Sequence, residues 1–222
     1  MMLLMQLRRR FNLFISRIVL DLNKYETKKA IFSPQMLHAV VEGCFPDNNE
    51  KERKLWRLDR LNSKLYLLIL SPTKPDFTKL AQQMCSTDTK GETKDYMPLL
   101  SSINEGMRFR FRLAANPVRS VKTENNTRGK VHAHVTVDQK RDWLVKKAVS
   151  CGFITDKKMF EVVEMDSLHF WRNSNEPPVD IKTSIFEGEL EVENKELFIQ
   201  SLIQGIGRAK AYGCGLLTLA RV

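Results

Sequence analysis

The chain has 222 residues, 36 Lys and Arg against 26 Asp and Glu, a formal net charge of +10 and a pI of about 9.5. With 42% hydrophobic and 28% charged residues its composition is globular, which excludes a disordered or fibrous chain, and no run of ~18 apolar residues is present to form a membrane span. The positive excess points to an anionic partner, nucleic acid first and an anionic membrane surface second, with charge kept only for solubility as the plainer alternative.

At the N-terminus the apolar residues Met1 to Met5 precede the basic Arg8, Arg9 and Arg10. A secretory signal has the opposite order, so secretion is not expected. Residues 11–20 read as a strand in which Leu13, Ile15, Ile18 and Leu20 are apolar, and a turn-prone stretch follows through Lys24, Lys28 and Lys29. Ser33-Pro34 signals a helix start, with Ser33 as cap and Pro34 in the first turn. Met36, Leu37, Val40, Val41 and Cys44 then recur at helical spacing, and Pro46 lies past the end. Residues 55–61 and 64–70 form a predicted hairpin around Asn62-Ser63. A short helix is expected over residues 77–84 and a further strand over residues 96–103. This β-α-β-β-α-β order, over about 90 residues, is the ferredoxin-like pattern.

The second half repeats the order. A long extended run over residues 107–121 is broken at Asn116-Pro117, and residues 131–137 form another strand. A helix over residues 138–150 is expected to be capped by Asp138. Residues 160–170 and 183–192 look extended. Asn194 starts a helix that runs to residue 203, a glycine-rich loop spans residues 205–213, and residues 214–220 form a last strand. The predicted fold class is therefore α+β, two tandem ferredoxin-like (RRM-like, βαββαβ) modules, with residues 11–103 in the first and 104–222 in the second. Cys44, Cys85, Cys151 and Cys214 are scattered without a CxxC pair. They are expected to be reduced thiols of a cytoplasmic protein, not a disulfide frame or a zinc knuckle.

The most distinctive stretch is Gln204-Gly205-Ile206-Gly207-Arg208-Ala209-Lys210-Ala211-Tyr212-Gly213-Cys214-Gly215. A dinucleotide fingerprint requires strand, loop and helix in that order, whereas helix, loop and strand are predicted here. A Walker loop requires Gly-Lys-Ser/Thr, which is absent. A tight connection is the plainer use of these glycines. Their density among cations favours backbone contact with nucleic-acid phosphates through Gly205, Gly207 and Gly213, with Arg208 and Lys210 alongside. Arg108, Arg110 and Arg112 alternate with Phe109, Phe111 and Leu113, so a strand places the guanidiniums on one face. That face is either simply solvated or tracks a phosphate chain. Arg119, Lys122, Arg128 and Lys130 belong to a polar, basic loop suited to a groove of duplex RNA, or to a solvated hairpin tip. His132 and His134 share a strand face but lack a third ligand, so no metal and no cofactor are predicted. His169 reads as structural. No carboxylate pair is spaced for a two-metal nuclease, and no Gly-x-Ser-x-Gly occurs.

Gln204 to Leu219 closely resembles the C-terminal signature of the CasE family, the CRISPR-RNA-processing endoribonucleases of the type I-E Cascade complex. Phe14-Ile15-Ser16-Arg17-Ile18-Val19-Leu20, Phe109-Arg110-Phe111-Arg112-Leu113-Ala114-Ala115-Asn116-Pro117 and Phe186-Glu187-Gly188-Glu189-Leu190 resemble further family segments. The resemblance implies tandem ferredoxin-like domains and metal-independent cleavage of CRISPR repeat RNA at the base of a stem-loop. It also implies retention of the crRNA product, partnership with other Cascade subunits and no membrane association. The family's catalytic histidine, in a Leu-His context on the first helix, matches Leu37-His38. The tyrosine that many members carry one turn earlier is Gln35 in this chain. A histidine, with an ordinary pKa near ~6.5, transfers protons at neutral pH while the 2′-hydroxyl attacks the adjacent phosphorus. Whether His38 is base or acid stays open. Lys182, ahead of the strand at 183–192, is the candidate stabiliser of the charged phosphorane. The competing readings are a non-catalytic RNA-binding subunit of a ribonucleoprotein complex and, more remotely, a basic scaffold that meets only proteins.

Overall fold

A computed structural model describes residues 12–46, 52–121, 130–171 and 177–222. Two compact units are formed: Met1–Ile103 together with Lys210–Leu216, and Asn104–Ala209 together with Leu217–Val222.

In the first unit, β1 (Phe14–Leu20), β2 (Leu55–Leu61), β3 (Lys64–Ser71) and β4 (Glu92–Asp95) form an antiparallel sheet of order β2-β3-β1-β4. Helices α1 (Tyr25–Ile31), α2 (Pro34–Glu42), α3 (Thr78–Met84) and α4 (Met97–Ser102) complete it. Alternation along β1 and β3 turns Ile18, Leu20, Leu67 and Ile69 into a core that Leu37 and Val41 of α2 close from above. Ser33 caps α2 as expected, its hydroxyl accepting from the Met36 N–H at 3.3 Å, with Pro34 in the first turn.

Two expectations in this unit are corrected. The stretch around Lys24 to Lys29 is helix α1; Lys24 offers no side-chain cap, so no start signal was readable. Residues 96–103 are not a strand but carry α4, whose first turn holds Pro98 and whose Met97 N–H is received by the Asp95 carboxylate at 2.9 Å. The fourth strand lies just before it. Its Glu92-Thr93-Lys94-Asp95 sequence is polar and exposed throughout, as suits a short sheet edge.

In the second unit, β5 (Arg108–Ala115) lies between β10 (Val179–Val192) and β11 (Leu217–Arg221). The far edge of β10 pairs first with β9 (Phe160–Phe170) and then with the short β8 (Phe153–Ile154). With α5 (Val137–Ser150) and α6 (Lys195–Gln204) this is the same β-α-β-β-α-β scheme. The chain is thus α+β with two ferredoxin-like modules. The inserted hairpin of β6 (Val118–Val121) and β7 (Lys130–Ala133) stands apart as its own two-stranded sheet. Phe111, Phe153, Phe160, Phe186 and Phe198 interlock in the core, with Phe153 and Phe198 edge to face at 5.7 Å. The cap of α5 is Thr136, not Asp138. Its hydroxyl accepts from the Gln139 N–H and the Gln139 side chain accepts from the Thr136 N–H, a full capping box.

Among the described residues no helix is long and apolar enough to cross a membrane. The four cysteines are free and buried. Burial pushes the Cys44 and Cys214 thiols up to about 12 and that of Cys85 up to about 11. Thiolate is therefore scarce at neutral pH. In a thiol-labelling time course at about pH 8, these three cysteines are expected to stay unmodified in the native protein and to react promptly once urea unfolds it. Rapid native labelling of any of them would contradict this packing.

Candidate functional site

His38 sits on the middle of α2, one turn after the half-buried Gln35. Its side chain is 42% exposed, yet Nδ1 is buried and has no hydrogen-bond partner. The nearest carboxylate oxygen, Glu42 Oε1 one turn later, is 4.0 Å away. That is beyond hydrogen-bonding range. Glu42 is instead held by Lys54, at 2.9 Å, and the Lys54 ammonium also lies over the Phe45 ring. The uncovered nitrogen of the imidazole is therefore Nε2, the atom placed to exchange a proton with a ligand.

The glycine-rich segment is divided between the units. Gly205 ends α6 at φ +77° and Gly207, at φ +82°, faces the Trp143 ring; both belong to the second unit, as does the exposed Arg208. Lys210–Tyr212 form a single 3₁₀ turn that joins the first unit and packs against both β2 and α2, the helix of His38. Gly213 follows at φ +80°, and a Cβ there would meet the Trp56 ring at 2.9 Å. Only glycine tolerates both conditions.

Arg57 fixes this segment. At 2% exposure, its guanidinium donates to both Asp59 carboxylate oxygens at 2.7 Å and to the Leu216 carbonyl at 2.8 Å. Sequence reasoning passed over it, although Arg57 and Asp59, two apart on a strand, share a face.

The second unit holds the remaining predicted residues. Phe109, Phe111 and Leu113 are buried and Arg108, Arg110 and Arg112 take the opposite face of β5, as the alternation requires. That face is not a stripe of free positive charge. Arg108 pairs with Glu191 at 2.9 Å, Arg112 pairs with Glu187, and Arg110 lies directly across from Glu189. Arg119 is exposed on β6 opposite His132. Nearby His134 is pushed below the ordinary histidine value by burial and then by the charges of Arg119 and Lys146. Lys130 begins β7, while Lys122 and Arg128 lie outside the described residues, as does the Lys130 side chain. His169, read as structural, is on the surface with Nδ1 2.7 Å from the Asp180 carboxylate. Lys182 is exposed on β10 across from Ser167, where β10 has no partner but β9 among the described residues. Sequence reasoning also missed Lys140, which is buried on the core-facing row of α5 with Leu144 and Ala148. The helical spacing of these residues was the available signal.

Replacing Arg57 by Met removes the donor to the Leu216 carbonyl and both guanidinium bonds to the mostly buried Asp59 carboxylate. Urea denaturation is expected to show a loss of about 3–5 kcal/mol, and an unchanged midpoint would rule out this anchoring role.

The CRISPR associated protein family matches residues 13–221. The CRISPR-associated endoribonuclease Cse3 of Thermus thermophilus is 25% identical over 220 residues, 94% of this chain and 100% of the relative. The CRISPR system Cascade subunit CasE of Escherichia coli is 25% identical over 193 residues, 83% of this chain and 90% of its own. A solved structure of Thermus thermophilus Cse3 bound to an RNA representing a pre-cleavage complex shares 26% identity, covers 95% of this chain and 100% of that one, and gives a TM-score of 0.80. Because the family match runs through both units, the chain belongs to the CRISPR associated protein family.

Proposed function

We propose that this chain is an endoribonuclease that cuts CRISPR repeat RNA at the base of a stem-loop and keeps the crRNA, acting in the cytoplasm with other Cascade subunits. The observation that carries the reading is His38, an exposed imidazole with an open Nε2, on the helix against which the glycine-rich segment packs. The near full-length similarity to Cse3, a named endoribonuclease solved with pre-cleavage RNA, supports the same reading.

The reaction needs no resident cofactor. The 2′-hydroxyl attacks the adjacent phosphorus, the O2′–P bond forms and the P–O5′ bond breaks. The products are a 2′,3′-cyclic phosphate and a 5′-hydroxyl. One proton leaves the 2′-oxygen and one arrives at the 5′-oxygen, and His38 moves one of the two. Charge builds on the non-bridging oxygens, where Lys182 is the proposed stabiliser. Arg119, Lys122, Arg128 and Lys130 are proposed to hold the stem, and Gly205, Gly207, Arg208, Lys210 and Gly213 to line the RNA backbone. Arg108, Arg110 and Arg112 are weaker members of this set, because carboxylates already face them.

The test is single-turnover cleavage of the cognate repeat in EDTA. His38→Ala is expected to slow cutting about 10²–10⁴-fold with binding retained, and a 2′-deoxy substitution at the scissile nucleotide to abolish it. Equal cutting by both proteins, or a strict metal requirement, would defeat the mechanism. Binding without any cleavage by wild type would favour the non-catalytic subunit. A substrate with sulfur in place of the 5′-bridging oxygen separates the two roles. Its leaving group needs no acid, so it restores the His38→Ala rate if His38 is the acid and not if it is the base.

A further inference from the structure

Helix α1 buries one side and leaves a patterned stripe on the other. Thr27 and Ala30 are buried, and the Thr27 hydroxyl donates to the Met84 carbonyl at 2.9 Å. Tyr25, Lys28, Lys29 and Phe32 recur at the spacing of a single helix face, and all four are exposed. Phe32, still in helical geometry at the end of α1, is 87% exposed, more than any other large hydrophobic residue among those described, and Tyr25 is 71% exposed. The rise of the helix sets the two rings about 10 Å apart along its axis. Between them the Lys29 ammonium lies 6.0 Å from the centre of the Tyr25 ring. Neither Lys28 nor Lys29 has a carboxylate partner among the described residues. The stripe runs directly into Ser33, the cap of α2, and α1 packs against α2, the helix of His38.

We propose that Tyr25 and Phe32 stack on bases of the unpaired RNA that flanks the stem-loop, with Lys28 and Lys29 on its phosphates. This rests on the endoribonuclease reading and deepens it, by adding base contacts to the unit that carries His38. The mixture of residues selects the partner. The core of a protein interface is enriched in aromatic residues but depleted in Lys. Two ammonium groups between two rings instead match a strand that alternates bases and phosphates. The rings also select the pairing state. In a duplex the faces of the bases are already stacked on one another, so side-chain rings stack on unpaired nucleotides.

The experiment compares binding of a repeat hairpin that has unpaired flanks and 2′-deoxy at the scissile nucleotide with binding of the same stem-loop trimmed of its flanks. Phe32→Ala and Tyr25→Ala are each expected to weaken binding of the flanked hairpin about tenfold and to leave the trimmed one unaffected. Phe32→Leu should be as weak as Phe32→Ala, and Phe32→Trp should bind like wild type, because stacking needs a ring and not merely an apolar side chain. Replacing both lysines by Ala should lower the log–log salt slope for the flanked hairpin by roughly 1.4, two single-strand phosphate contacts. A 2-aminopurine placed in the flank should lose fluorescence on binding wild type and keep it with Phe32→Ala. Hairpins with only the 5′ or only the 3′ flank identify the strand, and an effect of Phe32→Ala on neither overturns the proposal. So does wild-type affinity in Phe32→Leu, or an equal loss on flanked and trimmed hairpins. Melting temperatures should stay unchanged, since both rings are exposed; a large drop would make them structural and also overturn it. If the alanine variants bind both hairpins normally but no longer join other Cascade subunits, the stripe belongs to a protein and the proposal falls. If wild type binds no hairpin, the endoribonuclease reading fails, and an unpaired oligonucleotide carrying 2-aminopurine still decides the stripe: its quenching must depend on Phe32.

Discussion

The buried guanidinium of Arg57 constrains the rest of the first unit. A charged fork that is 2% exposed must have its donors satisfied, and Asp59 supplies only part of what it needs. The Leu216 carbonyl supplies another acceptor, from a point 159 residues along the chain. That bond obliges residues 210–216 to leave the second unit, join the sheet edge at β2, and return to become β11. The excursion sets the glycine spacing. Gly205, Gly207, Gly213 and Gly215 all adopt positive φ, as does Ala209 between them. The segment therefore has a structural explanation that does not involve RNA. That explanation places it against the helix of His38, so the last part of the chain shapes the surroundings of a residue near its beginning.

Charge in this protein has to be judged by arrangement rather than by total. The arginine row of β5 looked from the sequence like a phosphate track. Across the strand, however, Glu187, Glu189 and Glu191 stand at the matching register positions, and the face is close to neutral. Exposed pairs of this kind contribute little to stability, but they remove the arginines from the stock of free cations. The free cations of the second unit lie elsewhere, on exposed residues such as Arg119, Lys182 and Arg208, for which no carboxylate partner is found among the described residues.

Much of the fold was legible, because alternating strands and a capped helix leave local marks. Ser33-Pro34 at α2, Asn194 at α6, and the β5 alternation all appear where their residues put them. What stayed hidden lacked such marks. β4 has no apolar residue at all, so its neighbour, Tyr96 to Ile103, was read as the strand in its place. Helix α1 begins without a capping side chain. At α5 the acidic Asp138 outweighed Thr136, although Thr136 and Gln139 have the spacing of a capping box. The site was legible only in part for a different reason. His38 came from resemblance to a family, not from its own surroundings, and the bond from Arg57 to Leu216 joins residues that no local pattern connects.

His38 keeps one polar atom out of water without a partner, the Nδ1 of its imidazole. For His38, the obvious partner is present but engaged, since Lys54 holds Glu42 and leaves the ring without a carboxylate to fix its tautomer. On the proposed reading, the exposed cations and the glycine-rich backbone hold the repeat by its phosphates, and a phosphate is still a phosphate after the P–O5′ bond has broken. The groups that bind the uncut repeat therefore hold the cut one nearly as well, and retention of the product follows from the same contacts that recruit the substrate, at the expense of turnover.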